Sequence, residues 1–259
     1  MKKLITFFLT IVLTQPVFSG PLTKILTADE AAAWHGVGRL NLGDSAMCTG
    51  ALIAPDQVLT AAHCFYDEGS LMPIDPDTVT FLAGWRNGRA AAIREASRIV
   101  IHKGYSPKLP LRDAVSVDLA LIELTHPIDI NVAKPFGLEE QPSVGRELTV
   151  VSYAKDRAEA PSLETGCKVL DRGNRVITAD CDVDFGASGS PIFVMQRGVP
   201  KIASVVSAMA ETESRGKFSI GVALGAPLEE LRKQLQFDNN VFQRKKPGAG
   251  SIAEQLGRL

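Results

Sequence analysis

The sequence predicts an all-β protein of two six-stranded antiparallel β-barrels followed by a C-terminal helix. Three observations carry that prediction. Twelve short runs rich in Val, Ile, Leu and Thr recur between turn residues. Gly 22 and Pro 15 among 259 residues punctuate the chain too often for a bundle of long helices. A stretch carrying Pro127, Pro135 and Pro142 divides the runs into two sets of six, the pattern of a pair of barrels.

In the first set the candidate strands are Val37–Leu42, Thr49–Ile53, Val58–Ala61, Thr78–Ala83, Ala91–Val100 and Leu119–Leu124. Several alternate apolar and polar residues, as a strand with one face on a core does. Asn87-Gly88 supplies a tight-turn signal between them. The second set is Glu147–Tyr153, Glu164–Asp171, Arg175–Ala179, Ile192–Gln196, Lys201–Ser207 and Phe218–Ala223, with a turn at Arg172-Gly173-Asn174. The helix then begins at Pro227, which suits a first turn, with Glu229 and Glu230 near its positive end. Leu228, Leu231 and Leu235 recur at i, i+3 and i+7 and give it an apolar face. From Asn239 the composition turns polar. The organisation that follows is a signal peptide 1–19, an N-terminal segment 20–33, a first barrel 34–128, a linker 129–145, a second barrel 146–226, the helix 227–237 and a flexible tail 238–259.

Composition narrows the function. The chain is 45% hydrophobic and 22% charged, enough to bury a core, which argues against disorder. Its formal net charge of −1 offers no basic excess to hold a polyanion, so no nucleic-acid partner is expected. Lys2 and Lys3 followed by apolar Leu4 to Leu13, then small residues at Val17 and Ser19, read as an export signal cleaved before Gly20. A bilayer span needs roughly 20 apolar residues, and Gln15 and Pro16 end this run too soon. Export to the periplasm or the medium is expected, without stable membrane association.

In an oxidising compartment four cysteines suggest disulfides. Three pairings are possible, and the two local ones, Cys48–Cys64 and Cys167–Cys181, are favoured. Zinc is the competing reading, but no C-x-x-C pair is present.

Three segments carry residue types suited to chemistry: Leu59-Thr60-Ala61-Ala62-His63-Cys64, Val117-Asp118-Leu119-Ala120, and Gly186-Ala187-Ser188-Gly189-Ser190-Pro191. A serine hydroxyl is a weak nucleophile and needs a base to take its proton. Histidine titrates near neutrality, and a carboxylate on its other ring nitrogen fixes the tautomer. Each residue alone has a bland reading, as a packed histidine, a strand start or a Gly-Ser turn. Those readings compete only while the segments are taken singly.

With these segments the chain resembles the trypsin-like (chymotrypsin-fold) serine peptidases, from about Trp34 to Leu235. The Gly-x-Ser-Gly-Ser-Pro run is more similar to bacterial members, including glutamyl endopeptidases. The resemblance implies a chymotrypsin-like pair of barrels and a serine endopeptidase acting on proteins or peptides, as a monomer and without metal or cofactor. It implies His63 as general base, Asp118 as its orienting carboxylate and Ser188 as nucleophile, with the N–H groups of Gly186 and Ser188 as the oxyanion hole. Cys48–Cys64 would tie down the histidine loop, and Cys167–Cys181 would brace the wall leading to Ser188. Asp182, six residues before Ser188, falls at the pocket base that carries Asp in Arg/Lys-cleaving relatives. Asp184 would add negative charge, and Ser207, Met209 and Gly221 would line the pocket. Position 187 is Ala where digestive members have Asp, so activation by a new N-terminus pairing with that Asp is not expected. A catalytically inactive homologue acting as a binding protein is the competing function.

Overall fold

The computed structural model describes residues 23–24, 28–43, 46–173, 175–183, 187–212, 216–237 and 241–243. The expected signal peptide, together with Asp184 and Gly186, lies outside the described residues. Six strands form the first barrel: β1 (Val37–Leu42), β2 (Ala46–Ala54), β3 (Gln57–Thr60), β4 (Val79–Ala83), β5 (Ala92–Ile101) and β6 (Ala120–Leu124). They pair antiparallel in the order β1-β2-β3-β6-β5-β4, and β4 returns to β1 to close the sheet.

The second barrel comprises β7 (Glu147–Ser152), β8 (Ser162–Gly173), β9 (Val176–Ala179), β10 (Pro191–Gln196), β11 (Val199–Thr212) and β12 (Gly216–Ala223). Its order is β7-β8-β9-β12-β11-β10, closed by β10 on β7. Connectivity is therefore the same in both barrels, an equivalence that the two half-sequences do not display.

Local chemistry explains the joints. Asn87 and Gly88 take φ of 46° and 81°, and Arg86 bridges Arg89 across them, the hairpin that this dipeptide favours. Arg197 and Gly198 turn β10 into β11 with φ of 51° and 79°. Strand β11 runs past the Lys201–Ser207 read from the sequence because a bulge lies between Val206 and Ala208. The extra residue breaks the two-residue alternation by which a strand is recognised.

Among the described residues three short strands decorate the barrels. Thr23–Lys24 pairs with Ser162 and Leu163, Gly137–Leu138 runs parallel to Lys201 and Ile202, and Val241–Gln243 pairs with Arg98, Ile99 and Val100. The last falls within the stretch expected as a tail: residues 241–243 add a short strand beside β5.

The helix spans Gly225–Phe237 and buries Leu228 and Leu231 as the apolar spacing predicts. It also buries Gln234, whose Nε2 donates to the Ile101 carbonyl (3.1 Å) and whose Oε1 accepts the Lys103 N–H (3.0 Å). Glu230 accepts from Arg175, before β9, and lies 2.8 Å from His102 Nε2 at the end of β5. The helix thus bridges the two barrels. Burial holds the His102 imidazole below its ordinary pKa despite Glu230, and its Nδ1 accepts the Gly104 N–H, so this histidine packs as a neutral ring. Among the described residues no helix is long and apolar enough to cross a membrane.

Candidate active site

Strand β3 leads through Ala61 and Ala62, both fully buried, into a single 3-10 turn at His63–Phe65. Small side chains let this segment run beneath the barrel surface before it turns outward. Strand β6 lies beside β3 with Thr60 opposite Ala120. The pairing is antiparallel, so His63, beyond Thr60, and Asp118, before Ala120, leave the sheet at the same end. That register brings together two residues far apart in the chain. The His63 N–H donates to Asp118 Oδ1 at 2.8 Å, and Nδ1 lies 2.7 Å from Oδ2. A disulfide from Cys64 to Cys48 on β2 anchors the turn.

Asp118 is 3% exposed, a burial that a carboxylate tolerates only with its lone pairs taken. Ser207 of β11 meets that need as well, its hydroxyl donating to Oδ2. With Nδ1–H given to the carboxylate, Nε2 is the nitrogen free to accept a proton. Burial alone would lower the His63 pKa, but the charge and hydrogen bond of Asp118, with the charge of Glu68, raise it above the ordinary imidazole value.

Ser188 sits in a turn held from both barrels. Its carbonyl accepts the Thr49 N–H at 2.9 Å, the Gly189 N–H donates to the Val206 carbonyl at 2.9 Å, and the Ser190 N–H donates to the Ala187 carbonyl at 2.9 Å. Gly189 has φ of 76°, a left-handed conformation, and a Cβ there would lie 2.1 Å from Thr60 Oγ1 and 2.4 Å from the Thr49 carbonyl oxygen. The serine turn is therefore seated between Thr49, next to Cys48, and the Thr60–Ala61 segment that delivers His63. Thr60 Oγ1 donates to the Thr49 carbonyl (2.8 Å), and Thr49 Oγ1 accepts the Tyr153 N–H (3.0 Å), locking the contact between barrels.

The other residues singled out in the sequence divide. Asp182 is exposed rather than buried at a pocket base, and its N–H donates to Glu164 Oε1 at 2.9 Å. The buried carboxyl beside this segment is Glu164, 1% exposed, which the sequence reading did not single out. Its only signal was a carboxyl inside a candidate strand, and a bulge at Gly166 shifts the alternation that would have marked it as inward. Ser207 turns its hydroxyl to Asp118, Met209 packs against the second-barrel core, and the space beside Gly221 is occupied by Ser204 Oγ, 2.3 Å from where a Cβ would stand. Both favoured disulfides form, Cys48–Cys64 and Cys167–Cys181. Cys48, His63 and Cys64 place donor atoms within 4.8 Å of one another, but the sulfurs are bonded together and Nδ1 faces Asp118, so they make no metal ligand set.

Comparison with known proteins gives the family and the fold. The family model described as Trypsin matches residues 27–227. Serine protease 56 of Homo sapiens is 33% identical over 117 residues, 45% of this chain and 18% of that protein. Trypsin Blo t 3 of Blomia tropicalis is 25% identical over 219 residues, 74% of each chain. Glutamyl endopeptidase of Bacillus licheniformis is 29% identical over 150 residues, 56% of this chain and 45% of that protein. The chain thus spans less than half the length of the human and Bacillus proteins. A solved Glu endopeptidase superposes with a TM-score of 0.67 at 21% identity, covering 82% of this chain and 95% of that one. A thermostable serine protease from an extremophilic microorganism gives 0.64 at 15% identity, covering 80% and 100%. At these identities the two structures speak to the fold.

Proposed function

Since this chain belongs to the trypsin family of serine proteases, we propose that it is a secreted endopeptidase that cleaves proteins or peptides through an acyl-enzyme. Ser188 Oγ attacks the scissile carbonyl while His63 Nε2 takes its proton, and Asp118 stabilises the imidazolium that forms. The Gly186 and Ser188 N–H groups receive the oxyanion, each worth about 3 kcal/mol in the transition state. His63 then returns its proton to the leaving amine, and water releases the acyl group by the same route. The observation that carries this reading is the double contact of His63 with the buried Asp118, which fixes the ring and leaves Nε2 available.

The two disulfides fit an oxidising compartment, and the basic and apolar N-terminal run supports export with cleavage before Gly20. We assign the chain a monomeric state and no cofactor. A preference for Arg or Lys rests on Asp182, and exposure limits it. An exposed carboxylate contributes about 0.2–1 kcal/mol to an ion pair, so the expected selectivity over a neutral side chain is at most about fivefold.

The test is fluorophosphonate labelling of the mature chain followed by a peptide-library cleavage profile. Labelling and cleavage are expected for the wild type and lost in Ser188→Ala with an unchanged circular dichroism spectrum. Cleavage that persists in Ser188→Ala overturns the assignment. A wild type that is folded and unlabelled supports an inactive binding homologue.

A further inference from the structure

Strand β8 grips the chain leading toward Ser188 at three consecutive residues. The Asp180 N–H donates to the Lys168 carbonyl at 3.1 Å, and the Asp180 side chain accepts the Lys168 N–H. Cys181 is bonded to Cys167. Asp182 is held differently, by a side chain: its N–H donates to Glu164 Oε1. Further along, Ala187 is fully buried and offers a methyl group, so the residue beside the nucleophile contributes no polar side-chain anchor.

The cost of this arrangement argues that it has a use. Glu164 is 1% exposed, and its Oε2 has no hydrogen-bond partner among the described residues. Its backbone is already placed by pairing with Val150 of β7. An apolar side chain of similar size is usually neutral or stabilising where a polar group is buried and incompletely bonded. Burial, opposed by the Asp182 N–H and reinforced by the charges of Asp182 and Asp180, raises the carboxyl to about 7. Both its acid and its anion present an oxygen acceptor to that N–H.

We propose that Glu164 is a positioning residue for the hydrolysis: through the Asp182 backbone it fixes the start of the segment that leads to Ser188. It acts through the backbone and touches no reacting atom. The inference rests on the serine endopeptidase reading, and it adds the acceptor that holds this segment from within the second barrel. A displacement of about 1 Å at a reacting centre can lower a rate about 100-fold, which sets the size of the effect.

The experiment compares wild type, Glu164→Gln and Glu164→Met in the full mature chain. It measures kcat and KM on a peptide substrate, inhibition by a peptidyl aldehyde of the same sequence, and thermal melting at pH 8. Glutamine keeps the acceptor and should hold kcat within about threefold of wild type. Methionine fills the space without a comparable acceptor. It should lower kcat about 10–100-fold, weaken the aldehyde by a similar factor, leave KM within about twofold, and melt no lower than wild type. A Met variant with wild-type kcat overturns the proposal, as does a change confined to KM. A Gln variant as impaired as Met also overturns it, because an acceptor would then not be what matters. If Met abolishes cooperative melting, the carboxyl serves the fold and the proposal fails. A wild type that neither labels nor hydrolyses removes the peptidase reading, and this inference with it.

Discussion

Among the described residues two carboxyl groups lie buried near the candidate site, and their surroundings give them opposite characters. Asp118 accepts from the His63 N–H, from His63 Nδ1 and from Ser207. Glu164 accepts one N–H and is pushed up to about 7. For Asp118 the consequence is read at His63, whose pKa it raises. A general base must be neutral, so the acid limb of kcat/KM should fall above the ordinary value near 6.5. Asp118→Asn removes the carboxylate charge that raises the His63 pKa and favours the wrong tautomer. It should move that limb downward and lower kcat on the order of 10⁴-fold, measured as a pH–rate profile on a peptide substrate. An unmoved limb would show that Asp118 does not set the histidine. The sequence singles out His63, Asp118 and Ser188 because each lies in a distinctive short segment, and the fold brings His63 and Asp118 into contact. Ser207 was read as pocket wall, since nothing in Val206-Ser207-Ala208 says that its hydroxyl turns toward a carboxylate from the other barrel.

The element that most constrains the site is the turn from Ala187 to Ser190. Gly189 combines a left-handed backbone with a contact so close that a Cβ would overlap Thr60 Oγ1 and the Thr49 carbonyl. Left-handed geometry costs a non-glycine residue about 1–2 kcal/mol, and overpacking adds about 1–3 kcal/mol. Gly189→Ala should therefore destabilise the protein by about 2–5 kcal/mol, measured by urea denaturation, and displace Ser188. Stability and cleavage both within error of wild type would contradict the close seating. Strands themselves were legible, because alternation and turn dipeptides are local. Their exact reach was not: β11 continues past its bulge to Thr212, and Val241–Gln243 joins β5 although the chain around it is polar. An edge strand gains backbone hydrogen bonds whatever its side chains, so composition does not announce it.

Across the molecule the second barrel keeps an apolar core of its own, and part of it joins the interior of the first. Tyr153, Phe193, Ile202, Val205 and Val222 of the second half pack in the same cluster as Leu40, Leu52, Leu59 and Leu121 of the first. Phe193 also meets Trp34 at a tilt and Phe136 edge to face, at centroid distances of 5.1 and 4.7 Å. Domains with a large apolar interface do not move or melt independently. A single calorimetric transition is expected, with far-UV and near-UV signals coincident; two resolved transitions would show that the interface does not couple the barrels.

Sequence by itself determined the class of the fold, the position of nearly every barrel strand, the favoured cysteine pairs and the three segments that meet at the site. Those features are written in local patterns of apolar alternation, turn residues and short motifs. Tertiary structure decided which carboxyl is buried, Glu164 rather than Asp182, where Ser207 directs its hydroxyl, and that part of the tail is a strand. The burial of a polar group is fixed by partners distant in the chain, here across a bulge or from the opposite barrel, and a local pattern holds no record of them.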